Sequence, residues 1–178
     1  MHIYLIRHAE AVARGEPGIQ TDEERPLTDT GRRQARELAT AFQRHQIQVD
    51  AIVQSGLLRA LQTAEELAGV WGTAPDKMHQ TDHLAPGGKP RKLARFLEGL
   101  GVESVALVGH QPDIDELTGW LIGSKKAAID IAKAGVAYVE SSEELGKGTG
   151  SLVWLITPDW AAKGSPAPGA RPKAGKDA

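Results

Sequence analysis

The chain has 178 residues, a net charge of -2 at pH 7 and no cysteine. The length suffices for one domain with a real hydrophobic core. The weakly negative balance leaves no electrostatic footprint for nucleic acid, and the missing thiols exclude disulfides, thiolate metal ligands and cysteine nucleophiles. No apolar run approaches the length that spans a bilayer. Met1–Ile6 runs directly into a strand pattern, without the basic and apolar regions of a cleaved leader. The sequence therefore reads as a cytoplasmic protein with no membrane or nucleic-acid partner, stable as a monomer.

Short apolar runs alternate with longer helical patterns. Strands are expected at His2–Ile6, Ala51–Gln54 and Val105–Val108, and helices over Asp29–His45, Leu57–Val70, Pro90–Leu100 and Pro112–Leu121. This alternation predicts βαβ units around a mostly parallel sheet, a three-layer α/β/α sandwich. Thr28 is placed to cap the first long helix, whose Ala35, Leu38, Ala39 and Phe42 recur at helical spacing and are expected to face the sheet. Two late runs, Val136–Glu140 and Ser151–Ile156, flank Gly146-Lys147-Gly148-Thr149-Gly150 and predict a terminal antiparallel hairpin. The domain is expected over residues 1–160. From 161 to 178 the composition shifts to Ala, Pro, Gly and Lys, too poor in apolar groups to offset chain ordering, and is expected to be disordered.

Three expected strand exits carry cations: Arg7-His8-Ala9, Ser55 through Arg59, and Gly109-His110-Gln111-Pro112. In an open α/β sheet such exits share one edge, where ligands bind. Ser55 is expected to cap the second helix. Arg59, one turn in, leans back toward that edge, because helical side chains point toward the helix N-terminus. Guanidinium groups match phosphate oxygens with paired hydrogen bonds, so two Arg and two His converging there predict a pocket for a phosphoryl dianion. A neutral imidazole at that place is also a competent nucleophile near pH 7.

Blander readings exist for each residue. Arg59 can be a solvated helix residue paired with Glu65 or Glu66, His110 a helix cap, Arg25 a surface charge, and Glu10 a loop hydrogen-bonding residue. His2, His45, His79 and His83 lack the spacing of zinc-binding pairs, and no metal or cofactor is expected. Trp71, Trp120 and Trp154 are expected to be packing residues. The joint occurrence of Arg7, His8, Arg59 and His110 favours the pocket over the separate readings.

Arg7-His8-Ala9 after the first strand, the run from Pro26-Leu27-Thr28 to Ala35, the Ser55 to Ala64 segment and Gly109-His110-Gln111-Pro112, in that order, resemble the histidine phosphatase (phosphoglycerate mutase-like) superfamily over Met1 to about Trp160. The short length, the Glu24-Arg25-Pro26-Leu27-Thr28 segment and His83–Gly88 are most similar to its SixA-type branch. That resemblance implies a phosphatase acting on a phosphohistidine-bearing protein or a small phosphorylated substrate. It implies His8 as the phosphorylated nucleophile, Arg7 and Arg59 as phosphate clamps, His110 as the second pocket histidine and Arg25 as an additional phosphate contact.

Two positions depart from the family pattern. Ala9 stands where glycine is common, which a positive φ would penalise. Gln111 follows His110, and no glutamate lies between Asp82 and Leu93, so no carboxylate occupies a recognised general-acid position. Asp22, Glu23, Glu24 and Glu10 are the available substitutes. An alkoxide leaving group needs a proton in the transition state, whereas phosphohistidine expels imidazole, a weak base with a conjugate-acid pKa of about 6.5. The missing acid thus favours phosphohistidine hydrolysis in two steps through phospho-His8. A broad small-molecule phosphomonoesterase and a non-catalytic phosphate-binding module are the alternatives.

Overall fold

The computed structural model describes residues 1–161. Apart from Ala161, the tail expected to be disordered lies outside the described residues. The strands are β1 (His2–Arg7), β2 (Ala51–Gln54), β3 (Met78–Gln80), β4 (Ser104–Gly109), β5 (Val136–Ser141) and β6 (Gly150–Ile156). The α-helices are α1 (Asp29–Arg44), α2 (Leu58–Trp71), α3 (Pro90–Leu100) and α4 (Asp113–Leu121). They form one sheet in the order β3-β2-β4-β1-β5-β6. β1, β2, β3 and β4 are parallel, whereas β5 runs antiparallel to both β1 and β6.

Strand periodicity divides the core into two layers. Ile3 and Leu5 of β1 face one side, with Val53, Val105 and Leu107, against Leu93 and Leu97 of α3 and Ile114, Leu117 and Leu121 of α4. Tyr4 and Ile6 face the other, with Ile52, Ala106 and Val108, against Leu38, Ala39 and Phe42 of α1 and Ala60, Ala64 and Leu67 of α2. The chain moves from β1 out to β2 and β3, then returns to insert β4 between β2 and β1. The crossovers carry α1 and α2 over one face on the outward path and α3 over the other on the return. This reversal makes β4 the central strand, flanked at its C-terminal end by the exits of β2 and β1.

The sheet has one strand that the sequence reading leaves out. β3 is the edge strand Met-His-Gln, half-buried and without alternation, so it carries no pattern signal. The expected helices form with ends shifted by at most one residue. Trp71 stacks on Phe42, and Trp154 stacks on Trp160 and lies tilted against Tyr4 and Tyr138.

Thr28 caps α1 by accepting from the Gly31 N–H at 3.0 Å, while its hydroxyl donates to the Glu10 carboxylate at 2.8 Å. Glu10 therefore fastens the β1–α1 loop to the helix start, as its blander reading has it. The same approach leaves no room at Gly31, where a Cβ would lie 2.0 Å from the Glu10 carbonyl oxygen. Gly31→Ala is expected to cost about 1–3 kcal/mol. Gly69→Ala, at an exposed mid-helix position with nothing within 4 Å, is expected to add about 0.5–1 kcal/mol. Denaturant midpoints of the two variants check the pair, and equal effects would refute the close approach.

Candidate active site

The parallel register that pairs Arg7 with Gly109 continues one residue further, with the His8 N–H donating to the Gly109 carbonyl at 3.0 Å. On the opposite side of β4, the Ser55 N–H donates to the Val108 carbonyl. Backbone pairing alone therefore lines up His8, His110 and Ser55 across the sheet's C-terminal edge. The His8 and His110 rings lie 5.1 Å apart between centroids, and both residues are buried.

The His8 ring is held at both nitrogens. Nδ1–H donates to the Ala9 carbonyl at 2.7 Å, and Nε2 accepts from Arg59 Nε–H at 3.2 Å. A carbonyl can only accept and a guanidinium N–H can only donate. Both partners thus demand the same neutral tautomer, with the proton on Nδ1 and a lone pair on Nε2. Burial pushes the His8 pKa down to about 4, against the raising effect of the Ala9 carbonyl, and the charges of Arg59, Arg7 and Arg25 lower it further. Ala9 is fully buried and is not among the residues at positive φ, so the missing glycine carries no backbone strain.

His110 is held differently. Its Nε2 lies 2.5 Å from the Ser55 hydroxyl, and its buried Nδ1 has no partner among the described residues. Burial, then the Arg59 charge and His8, push its pKa down to about 3. Ser55 is accordingly not the cap expected from the sequence. Leu57 occupies the N-cap of α2 without a side-chain bond, and the Leu58 N–H donates to the Glu23 carbonyl instead. Ser55, fully buried two residues earlier, is spent on the imidazole.

Arg59 sits in the first turn of α2 and is itself buried. Besides His8, it donates from NH1 to the Asp22 carbonyl at 2.7 Å and from NH2 to the Asp22 carboxylate at 3.0 Å. The expected bland pairing with Glu66 does not form, because Glu66 is taken by Arg32 and Arg36. Arg7 donates from NH1 to the Ile131 carbonyl at 3.1 Å, and its buried Nε has no partner among the described residues. Arg25 donates from Nε to the Val12 carbonyl at 2.6 Å and from NH1 to Asp22 at 2.8 Å. Through Asp22 it shares a carboxylate with Arg59, and its charge contributes to lowering the His8 pKa.

Residues that the sequence reading left without a role hold this arrangement. Gln62 accepts from the Leu27 N–H, and Thr63 accepts from the Ala9 N–H at 3.1 Å while donating to the Arg59 carbonyl. One face of α2 thereby fixes the backbone on either side of the β1–α1 loop. Asp22, read only as a possible acid, is bonded to Arg14, Arg25 and Arg59. Its hydrogen bonds to Arg14 and Arg25 and the Arg59 charge hold the carboxyl well below the usual range, against partial burial. Gln111 donates to Asp115 and Asp130. Among the described residues no cluster of three or more His, Cys, Asp or Glu is arranged to hold a metal ion.

Both histidines are more acidic folded than unfolded. From pH 6.5 down to about 4 for His8 and about 3 for His110, the unfolded chain gains protons that the folded chain does not, so their contribution is fully present above 6.5 and is lost as pH falls through those windows. Urea midpoints at pH 7, 6 and 5 should fall in the wild-type protein. The fall should be shallower in His110→Gln, and an unchanged slope would show that His110 is not buried as a neutral ring.

Residues 3–85 match the model of the histidine phosphatase superfamily (branch 1). The chain is 31% identical over 171 residues to an uncharacterised protein of Picosynechococcus sp., covering 90% of this chain and 98% of that one. It is 27% identical over 161 residues to the phosphohistidine phosphatase SixA of Escherichia coli, covering 89% and 94%. Among solved structures, the protein histidine phosphatase SixA complexed with tungstate aligns at a TM-score of 0.77 and 25% identity, over 89% of this chain and 97% of that one. The α-ribazole phosphatase of Shigella flexneri shares the fold at a TM-score of 0.69 and 18% identity, over 89% and 97%. Sequence motifs, fold and relatives thus converge, and the chain belongs to the histidine phosphatase superfamily, with SixA proteins among its relatives.

Proposed function

We propose that this protein is a phosphohistidine phosphatase working through a covalent phospho-His8 intermediate. The observation that carries the reading is the double restraint on His8, which leaves Nε2 as an unprotonated lone pair within a group of arginines. In the first step Nε2 attacks phosphorus as the P–N bond to the substrate imidazole breaks. The departing ring keeps the bonding electrons and leaves neutral, its other nitrogen already protonated. In the second step water attacks phosphorus, the electron pair returns to His8 Nε2, and one proton leaves to solvent.

Arg7, Arg59 and His110 hold the equatorial oxygens in both steps, with Arg25 adding charge at the rim. Two buried nitrogens suit that role, Arg7 Nε and His110 Nδ1, which have no partner among the described residues. A buried donor without an acceptor is costly, and a phosphoryl oxygen supplies one. With the Ser55 hydroxyl donating to Nε2, the His110 proton resides on Nδ1, the nitrogen left to bond the ligand. Positioning and charge neutralisation then supply most of the catalysis.

The preference for phosphohistidine over an ester rests on the carboxylates around the site. Asp22 is held ionised by its arginines, Glu10 is tied to Thr28, and Asp115 and Asp130 hold Gln111. None is placed to protonate an alkoxide. The Escherichia coli relative, a phosphohistidine phosphatase, points the same way.

Two measurements test this. Label from a phosphohistidine peptide, trapped by rapid denaturation in alkali, should appear on the wild-type protein and be absent from His8→Ala, whose kcat/KM should fall roughly a thousandfold or more. Label on neither protein would point to a phosphate-binding module. Turnover of the phosphohistidine peptide should exceed that of a sugar phosphate, and the reverse order would establish the phosphomonoesterase alternative.

A further inference from the structure

The unexpected contact in the site is Asp22. Its Oδ1 accepts from Arg14 at 2.7 Å and Arg25 at 2.8 Å, its Oδ2 accepts from Arg59 at 3.0 Å, and its carbonyl accepts from Arg59 at 2.7 Å. With Nε on His8, every nitrogen of the Arg59 guanidinium is already engaged. Two of the cations proposed to meet phosphate are therefore bonded to a carboxylate of the chain itself. The two oxygens of that carboxylate accept from the arginines as phosphoryl oxygens would.

We infer that Asp22 is a resident anion that takes over the arginine donors when inorganic phosphate leaves, and so promotes product release. The inference rests on the phosphate-binding reading of the site given above. An arriving phosphoryl group carries two charges against the single charge of Asp22, so it displaces the carboxylate from Arg59. As the P–N bond to His8 forms, Arg59 Nε–H gives up the His8 lone pair and turns to a phosphoryl oxygen. After water cleaves phospho-His8, phosphate is free to diffuse, whereas Asp22 is tethered beside the arginines at high effective concentration. Its return neutralises the cluster and restores the resting contacts.

The surroundings allow the exchange. Asp22 lies on the loop between Ala11 and Leu27, whose ends are pinned by the bridge between those two residues. The Asp22 side chain is 26% exposed and has solvent to turn into. The loop carries Gly15 and Gly18 at φ of 82° and 87° and buries no large apolar side chain between its pinned ends. Substituting Asp22 therefore leaves the core untouched.

Competition and positioning predict opposite signs. If Asp22 competes, Asp22→Asn and Asp22→Ala bind inorganic phosphate more tightly, by roughly tenfold, the worth of one charged hydrogen bond. Phosphate inhibition of turnover then strengthens by the same factor. If Asp22 only holds Arg59 in place, both variants bind phosphate more weakly, most of all Asp22→Ala.

Calorimetric titration of the full chain with inorganic phosphate reads the difference, with Arg59→Ala as the control that loses binding at this site. Tighter binding in both Asp22 variants establishes the exchange. Equal or weaker binding overturns it while leaving the phosphatase reading intact. Binding that is absent from wild type and both variants, or that survives Arg59→Ala, overturns the phosphate reading together with the inference.

Discussion

The site turns on the constraint that fixes one imidazole. His8 is buried, flanked by cations, and bonded at Nδ1 to a carbonyl and at Nε2 to a guanidinium N–H. Only the neutral Nδ1–H tautomer satisfies both bonds. Burial disfavours the charged ring, and the charges of Arg59, Arg7 and Arg25 add to that effect, which is why the pKa falls instead of rising. An unprotonated nitrogen beside several arginines is the arrangement that the proposed attack on phosphorus needs.

The fold supplies this arrangement by insertion of a central strand. β4 enters between β2 and β1, so the residue after it is placed between the residues after its neighbours. His110 meets Ser55 on one side and His8 on the other without any special loop. Arg59 comes from the first turn of α2, where the backward lean of helical side chains carries it over the same edge. Thr63, one turn later, receives the Ala9 N–H, so the helix that brings the guanidinium also fixes the segment that carries the imidazole. Gln62 does the same for the far end of the loop.

Much of this is legible in the sequence, and the reasons are specific. Ile3-Tyr4-Leu5-Ile6 and Val105–Val108 are uninterrupted apolar runs, as strands buried on both faces must be, and each is followed after one intervening residue, Arg7 or Gly109, by a histidine of the candidate site. The helices announce themselves by Thr28 at a cap and by apolar residues at helical spacing. β3 is different. Met-His-Gln at a sheet edge is stabilised by pairing with β2, a long-range contact that no local pattern encodes. Ser55 is a related case. Its position before a helix reads as a cap by local rules, and only the neighbouring strand shows that its hydroxyl belongs to His110. Asp22 opens the run Asp22-Glu23-Glu24-Arg25, and its partners, Arg25 excepted, are distant or on another element, so its place among the arginines emerges only from the folded loop.

The electrostatics of the free protein follow from the same geometry. Arg59 is buried, which alone lowers its pKa, and Asp22 opposes that effect. The carboxylate partly neutralises the cationic cluster while no ligand is present, and the arginines in turn keep Asp22 ionised, so that it is not a proton donor. The charge balance of the free site and the proposed preference for weakly basic leaving groups thus trace to one ion-pair network. The most direct test of the account is nitrogen NMR of isotopically labelled histidine near neutral pH, assigned by His8→Ala. The account predicts a neutral His8 ring with the proton on Nδ1 and a bare Nε2, and an imidazolium or an Nε2-protonated ring at that pH would contradict it.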